Sequence, residues 1–166
     1  MKRIATHLPV VGLSLLLLSC GSTGTESGNS QQNPSPPVAA MESQILVSGT
    51  QSGIEEARQT VISSEDQLRA LWNEAFSGID MGPSMPVVDF ERYRVVAAFI
   101  GMVRSGGHSV TFREITPSRV VVQHTRPGRG CAAATVIEFP FAIARTTPFA
   151  VDPVNFETVV VERECK

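Results

Sequence analysis

The sequence predicts an α+β fold, in which a mainly antiparallel β-sheet, either a curled sheet or a sandwich, packs with one amphipathic helix. Two observations support this prediction. Short β-rich segments recur between turns that contain Gly, Pro or Ser, and one segment repeats its apolar side chains with a helical period. Hydrophobic residues make up 42% of the chain and charged residues 18%, a balance typical of a globular domain.

The helix is predicted from a stripe of apolar side chains at spacings of three and four residues. Ser64 and Gln67 precede this stripe with the spacing of a capping box, so the helix should begin there. Gly78 follows it and is expected to end the helix in the left-handed conformation. We expect Trp72, which belongs to the stripe, to pack in the core and not to form an exposed platform for a ligand. The stripe consists of Leu68, Leu71, Trp72, Ala75 and Phe76.

The other predicted elements are strands. The run 95–100 is apolar throughout and is expected to form a central strand buried on both faces. Residues 81–86 form a loop marked by one glycine and two prolines. Pro140 indicates a bulge or a sheet edge, because proline has no backbone N–H to donate. The remaining strand candidates are residues 44–48, 60–62, 109–112, 119–125, 137–143 and 159–161.

Residues 1–19 have the composition of a secretory signal peptide. Two basic residues precede an apolar stretch at residues 8–18, which is shorter than the roughly 20 residues that span a bilayer. The stretch ends in Leu17-Leu18-Ser19-Cys20, which resembles the lipobox of bacterial lipoproteins. That resemblance implies cleavage before Cys20, attachment of fatty acyl chains such as palmitate, and residence in the cell envelope, at the outer membrane in a Gram-negative organism. An uncleaved anchor or a cytosolic amphipathic segment remains the alternative.

The sequence after the signal divides into a tether and a domain. Residues 20–40 are rich in Gly, Ser, Asn, Gln and Pro and have no apolar period, so they should form a disordered tether. Residues 41–166 should form the folded domain. Loss of Lys2 and Arg3 with the signal leaves 12 basic side chains against 16 acidic ones, a net charge of −4. An acidic protein is a poor candidate for binding nucleic acid.

Two cysteines remain in the predicted domain, Cys131 and Cys165. In an oxidising envelope compartment, a disulfide between them is the favoured interpretation. A free or metal-binding pair is the alternative, although metal sites usually need closer spacing or more ligands.

Two glycine-rich loops, at residues 103–108 and 126–131, form the candidate binding site. If strands 94–102, 109–115 and 119–125 form a meander, both loops emerge at the same end of the sheet. Arginine side chains there suit carboxylates or anionic sugars, and glycines let a partner approach the backbone. Solvated surface loops without a ligand are the alternative. The candidate residues are Arg104, Gly106, Gly107, His108, Arg126 and Arg129.

No catalytic motif is evident in the sequence. Ser105 and Ser109 flank Gly106-Gly107-His108, but no G-x-S-x-G is present, and a serine near a histidine is common by chance. His108 and His124 lack an evident third metal ligand. We therefore expect no enzymatic activity, no metal and no cofactor.

The stretch from Asp89 to about Val151 resembles the C-terminal domain of the PrcB family, named for a lipoprotein subunit of a bacterial surface protease complex. This resemblance implies a non-enzymatic accessory or interaction subunit that supports a secreted protease in the envelope. The alternatives are a module that binds a small anionic ligand or a glycan through the two loops, and a hydrolase that depends on His108 or His124. The residues that carry the resemblance are Asp89-Phe90, the strand to Phe99, Gly101, Gly106-Gly107-His108-Ser109-Val110, Glu114-Ile115, Pro127, Gly130-Cys131, Pro140-Phe141 and Ile143.

Overall fold

The computed structural model describes residues 41–164. The predicted signal peptide, the lipidated Cys20, the tether and Cys165 lie outside the described residues. The described part contains one α-helix and seven strands. They are β1 (Ser43–Gly49), β2 (Arg58–Ile62), α1 (Glu65–Phe76), β3 (Arg94–Phe99), β4 (Ser109–Ile115), β5 (Arg119–Pro127), β6 (Phe141–Thr146) and β7 (Asn155–Arg163).

The strands form two sheets. A four-stranded sheet has the order β1-β6-β3-β2, and all of its pairs are antiparallel. A three-stranded sheet has the order β4-β5-β7, in which β4 and β5 are antiparallel and β5 and β7 are parallel. The predicted α+β class with a mainly antiparallel sheet and one helix is therefore confirmed. The predicted meander is wrong, because β3 belongs to the four-stranded sheet and not beside β4.

The core consists of two apolar layers on opposite faces of β3 and β6. Side chains of alternating residues in β3, such as Val95 and Phe99, pack with α1 on one face. The intervening side chains, Val96 and Ala98, pack with valines of the three-stranded sheet on the other. The predicted central strand at residues 95–100 is thus confirmed as buried on both faces, and it ends at Phe99.

The helix begins as predicted. Ser64 is its N-cap, and the Ser64 hydroxyl accepts a hydrogen bond from the Gln67 backbone N–H at 3.3 Å. The reciprocal bond of a capping box is displaced by one residue, because the Gln67 side chain accepts from the Ser63 N–H at 2.9 Å. Trp72 is 6% exposed, which confirms core packing. Its indole N–H donates to the Pro83 carbonyl oxygen at 2.8 Å and so holds the predicted loop against the helix.

The helix ends differently from the prediction. Gly78 does not adopt the left-handed conformation. Ser77, the C-cap, keeps right-handed helical angles, and the Ile79 N–H donates to the Phe76 carbonyl oxygen at 3.1 Å. The chain therefore leaves the helix through a further tight turn that needs no left-handed residue at position 78. A positive φ of 59° occurs later, at Met81.

The strand predicted at residues 137–143 also begins later than expected. Ile137 is 53% exposed, and β6 starts at Phe141. Pro140 is fully buried and lies directly before a strand in the sheet interior, not at a bulge or a sheet edge. Its carbonyl oxygen still accepts from the Ile100 N–H at 3.0 Å. Because Pro140 precedes the first residue of β6, its missing N–H leaves the hydrogen bonds of that strand intact.

Candidate functional site

The β4–β5 hairpin brings the two candidate loops together. Ser109, at the start of β4, is paired with Thr125 near the end of β5. The chain that enters β4 and the chain that leaves β5 therefore lie at the same end of the hairpin. We call residues 103–108 and 124–131 the hairpin end. The predicted proximity of the loops is correct, although it comes from the hairpin alone and not from a meander that includes β3.

A surface depression of about 320 Å³ lies at the hairpin end. His108, Arg126 and Arg129, all predicted site residues, contribute to its wall. Arg104 is exposed and does not line it. The lining consists of Ser105, His108, Arg126, Pro127, Gly128, Arg129 and Glu162.

The two predicted glycines of the first loop serve contacts within the chain. The Gly106 N–H donates to the Ala134 carbonyl oxygen at 2.8 Å, and Gly106 is buried. A Cβ atom on Gly107 would lie 2.9 Å from the Arg163 Nη2 atom. Ala134 and Arg163 of the same chain therefore occupy the space beside these glycines that a partner was predicted to approach.

The arginines of the hairpin end differ in their partners. Arg126 forms an ion pair with Glu162, with 2.7 Å between Nη2 and Oε1, and both side chains are about half exposed. Arg104 and Arg129 are exposed, and neither has a carboxylate at ion-pair distance within residues 41–164. These two guanidinium groups keep their hydrogen-bond donors for a ligand or for water.

A chain of hydrogen bonds joins a serine and both histidines of the hairpin end. The Ser105 hydroxyl lies 3.0 Å from His108 Nε2. His108 Nδ1 lies 2.8 Å from His124 Nε2. All three residues are half-buried. Each neutral imidazole has one N–H, so the chain is satisfied when Ser105 donates to His108 and His108 donates to His124, or when both bonds run the opposite way.

Burial and nearby positive charges favour the neutral form of His124, which does not line the depression. Burial lowers the pKa of His124 from 6.5, and the nearby positive charges of protonated His108 and Arg126 lower that pKa further. Two protonated imidazoles would also turn N–H groups toward each other across the 2.8 Å contact. The histidine pair therefore accommodates at most one added proton without separating.

Sequence reasoning treated the neighbouring serine and histidine as chance and did not connect them to His124. One signal was available, because Val120, Val122 and His124 share the core-facing side of β5. His124 is also the cross-strand partner of Val110, two residues after His108. The position of Ser105 depends on the path of an irregular loop, for which the sequence has no periodic signal.

Cys131 is disulfide-bonded. Its Sγ atom lies 3.6 Å from the carbonyl oxygen of Arg163, near the end of β7. The other cysteines of the chain, Cys20 and Cys165, lie outside the described residues. The pairing with Cys165 therefore stays a prediction.

Residues 41–164 contain no group of three or more His, Cys, Asp or Glu side chains arranged to hold a metal ion. Within the same residues, no helix has the length and apolar character needed to cross a membrane. In comparisons with known proteins, no family model, no curated protein and no solved structure matches the chain. The resemblance to the PrcB C-terminal domain family therefore remains an expectation from the residues that carry it.

Proposed function

We propose that this protein is a lipid-anchored envelope protein whose domain docks a partner at the hairpin end, as an accessory or interaction subunit. The observation that carries the proposal is the pair of exposed arginines, Arg104 and Arg129, which lack carboxylate partners within the described residues. Arg129 lies in the wall of the depression, and Arg104 immediately precedes Ser105, another residue of that wall. Sheet pairing on β5 and the disulfide at Cys131 fix the backbone near Arg129. Guanidinium groups held this way suit an acidic segment of a partner protein.

The envelope location predicted from the sequence is consistent with this proposal. A lipid on Cys20 followed by a tether of 20 residues, with a span of roughly 25 Å, would let the domain reach a neighbour near the membrane. By its resemblance to the PrcB family, the partner would be a secreted protease complex. Growth with labelled palmitate tests the anchor, and a Cys20→Ala variant that still incorporates label would contradict it.

Charge reversal tests docking. The double variant Arg104→Glu and Arg129→Glu should reduce the envelope proteins recovered with the full chain after in-cell crosslinking. The matched control is Arg92→Glu with Arg113→Glu, which changes the net charge equally at two exposed arginines without ion pairs in the described part. Arg92 lies before the start of β3, whereas the loop of the hairpin end follows the last residue of that strand. Equal recovery with both double variants would contradict docking at the hairpin end.

A module for a small anionic ligand or a glycan is the second candidate. The depression of about 320 Å³, with Arg126 and Arg129 in its wall, is large enough for one acidic sugar. A ligand that binds only the folded state raises the unfolding temperature with the logarithm of its concentration. Thermal unfolding in the presence of glucuronate should show this dependence, and the Arg129→Glu variant should lose it. An unfolding temperature independent of glucuronate would favour protein docking instead.

A further inference from the structure

We propose that Ser105 is a nucleophile that accepts an acyl group from an ester bound at the hairpin end, with His108 as its general base and His124 as a positioning residue. This activity goes beyond the docking role, which needs no chemistry. It also departs from the absence of catalysis that the sequence predicts.

The distances from Ser105 to His108 and from His108 to His124 lie in the range that nucleophilic catalysis requires. A nucleophile and its base lie within about 2.6–3.2 Å of each other, and a third group orients the base. Ser105 Oγ and His108 Nε2 are 3.0 Å apart, and His108 Nδ1 and His124 Nε2 are 2.8 Å apart. With His108 Nδ1 donating to His124, the His108 Nε2 atom is free to accept the serine proton.

The orienting group is held more firmly than the nucleophile. His124 lies in β5, which is paired with β4 on one side and with β7 on the other. Burial, His108 and Arg126 all lower the pKa of His124, so it remains a neutral acceptor for the His108 N–H. Among the charged groups nearby, Arg126 is itself paired with Glu162 from β7.

Access to the nucleophile is open on one side. Ser105 and His108 both line the depression, whereas His124 does not. An ester that enters the depression therefore meets the hydroxyl and the base, with His124 behind them. Arg129, which has no carboxylate at ion-pair distance within residues 41–164, lines the same depression beside the Arg126–Glu162 ion pair. The favoured substrate class is therefore an ester with an anionic group that Arg129 can bind.

The proposed reaction has two steps. The Ser105 oxygen forms a bond to the ester carbonyl carbon while His108 Nε2 takes the hydroxyl proton. The carbon–oxygen bond to the leaving group then breaks, and His108 returns the proton to the departing alcohol. Water, activated by the same nitrogen, releases the acid from the acyl-serine and restores the hydroxyl.

An adduct on the serine is the decisive measurement. The full chain, extracted in detergent, is treated with a fluorophosphonate probe and with p-nitrophenyl hydrogen succinate, and the modified residue is located by peptide mass spectrometry. We expect the adduct on Ser105, its loss in Ser105→Ala, and its retention in Ser109→Ala, the matched serine on the other side of Gly106-Gly107-His108. His108→Gln should slow labelling by about 100-fold or more, because a general base contributes roughly 10²–10⁴ in rate.

Each other result overturns the proposal. An unlabelled protein, an adduct on Ser109, or an unchanged rate in His108→Gln would show that the contact between Ser105 and His108 is structural only. Circular dichroism and thermal unfolding of each variant confirm that the fold is retained. The adduct tests the hydroxyl of Ser105, whereas partner recovery tests the guanidinium groups of Arg104 and Arg129, so either proposal can fail while the other stands.

The role of His124 needs a separate readout. His124→Gln keeps an acceptor for the His108 N–H, whereas His124→Phe fills similar space without one. We expect the labelling rate to be largely preserved in the first variant. In His124→Phe, the rate should fall and its dependence on pH should shift, because the imidazole that accepts the His108 N–H and orients His108 is removed. Identical pH profiles for His124→Phe and the parent protein would overturn the positioning role.

Discussion

Two glycines with similar positive φ angles allow steric conflict to be separated from backbone strain. Gly101 has a φ of +81° and Gly130 a φ of +85°. A Cβ atom on Gly101 would lie 2.8 Å from the Glu55 carbonyl oxygen and 2.9 Å from the Ala57 nitrogen, whereas nothing lies within 4 Å of one on Gly130. Glu55 is held in place, because its carbonyl oxygen accepts from the Met102 N–H at 2.9 Å.

The expected destabilisation follows from these environments. Gly130→Ala adds only the left-handed strain of an L residue, about 1–2 kcal/mol. Gly101→Ala adds the same strain and forces backbone atoms apart, which costs about 1–3 kcal/mol more. The difference between the two variants should therefore be about 1–3 kcal/mol. Gly78→Ala is the control, because this position has neither a positive φ nor a neighbour within 4 Å and should be neutral or slightly stabilised.

Urea unfolding at equilibrium measures these differences. Trp72 is the only tryptophan of the chain and is buried, so its fluorescence reports on the folded core. Unfolding free energies for Gly101→Ala and Gly130→Ala that agree within about 0.5 kcal/mol would refute the steric argument at Gly101. Destabilisation of the Gly78 variant by as much as the Gly130 variant would refute the argument from backbone strain.

Three further predictions concern the core, the histidine pair and the disulfide. Trp72→Phe should lower the unfolding free energy by about 1–2 kcal/mol, because the Pro83 carbonyl loses its donor; circular dichroism in urea measures this, and unchanged stability would contradict it. Since burial lowers the pKa of His124 below 6.5, the unfolded chain takes up this proton first as pH falls. Stability should therefore be complete above about pH 6.5 and decline below it, less steeply in His124→Gln; parallel urea midpoints from pH 8 to 5 would argue against this. A Cys131–Cys165 disulfide should leave no alkylatable thiol on either residue without reductant, and its reduction should cost about 3–4 kcal/mol by the chain-entropy account; mass spectrometry that finds either thiol free would rule out the pairing.

The sequence was most informative where burial leaves a periodic pattern. The stripe that contains Trp72 predicted the helix, and the apolar run at residues 95–100 predicted a strand covered on both faces. Strand pairing was not accessible in the same way. The neighbours of β3 are β2 and β6, and β6 begins more than 40 residues later in the chain. Since an apolar strand fits many neighbours, a local pattern does not select among them.

The site was predictable to the extent that it depends on the hairpin. Adjacent β-rich segments with a short turn between them place His108 and Arg126 at one end, and the structure agrees. The ion pair of Arg126 with Glu162 was not foreseen, because the parallel pairing of β5 with β7 joins distant segments. The contact between Ser105 and His108 depends on loop angles that residue types alone do not determine.

The arrangement of the larger sheet governs when folding can be completed. Among the strands of residues 41–164, β1 pairs only with β6, and β6 lies between β1 and β3. A chain that emerges from a pore with its N-terminus first therefore cannot complete this sheet until about residue 146 has passed through. Such delayed closure favours slow folding. If the predicted signal peptide directs export, the sheet would stay incomplete until most of the chain has crossed the bilayer.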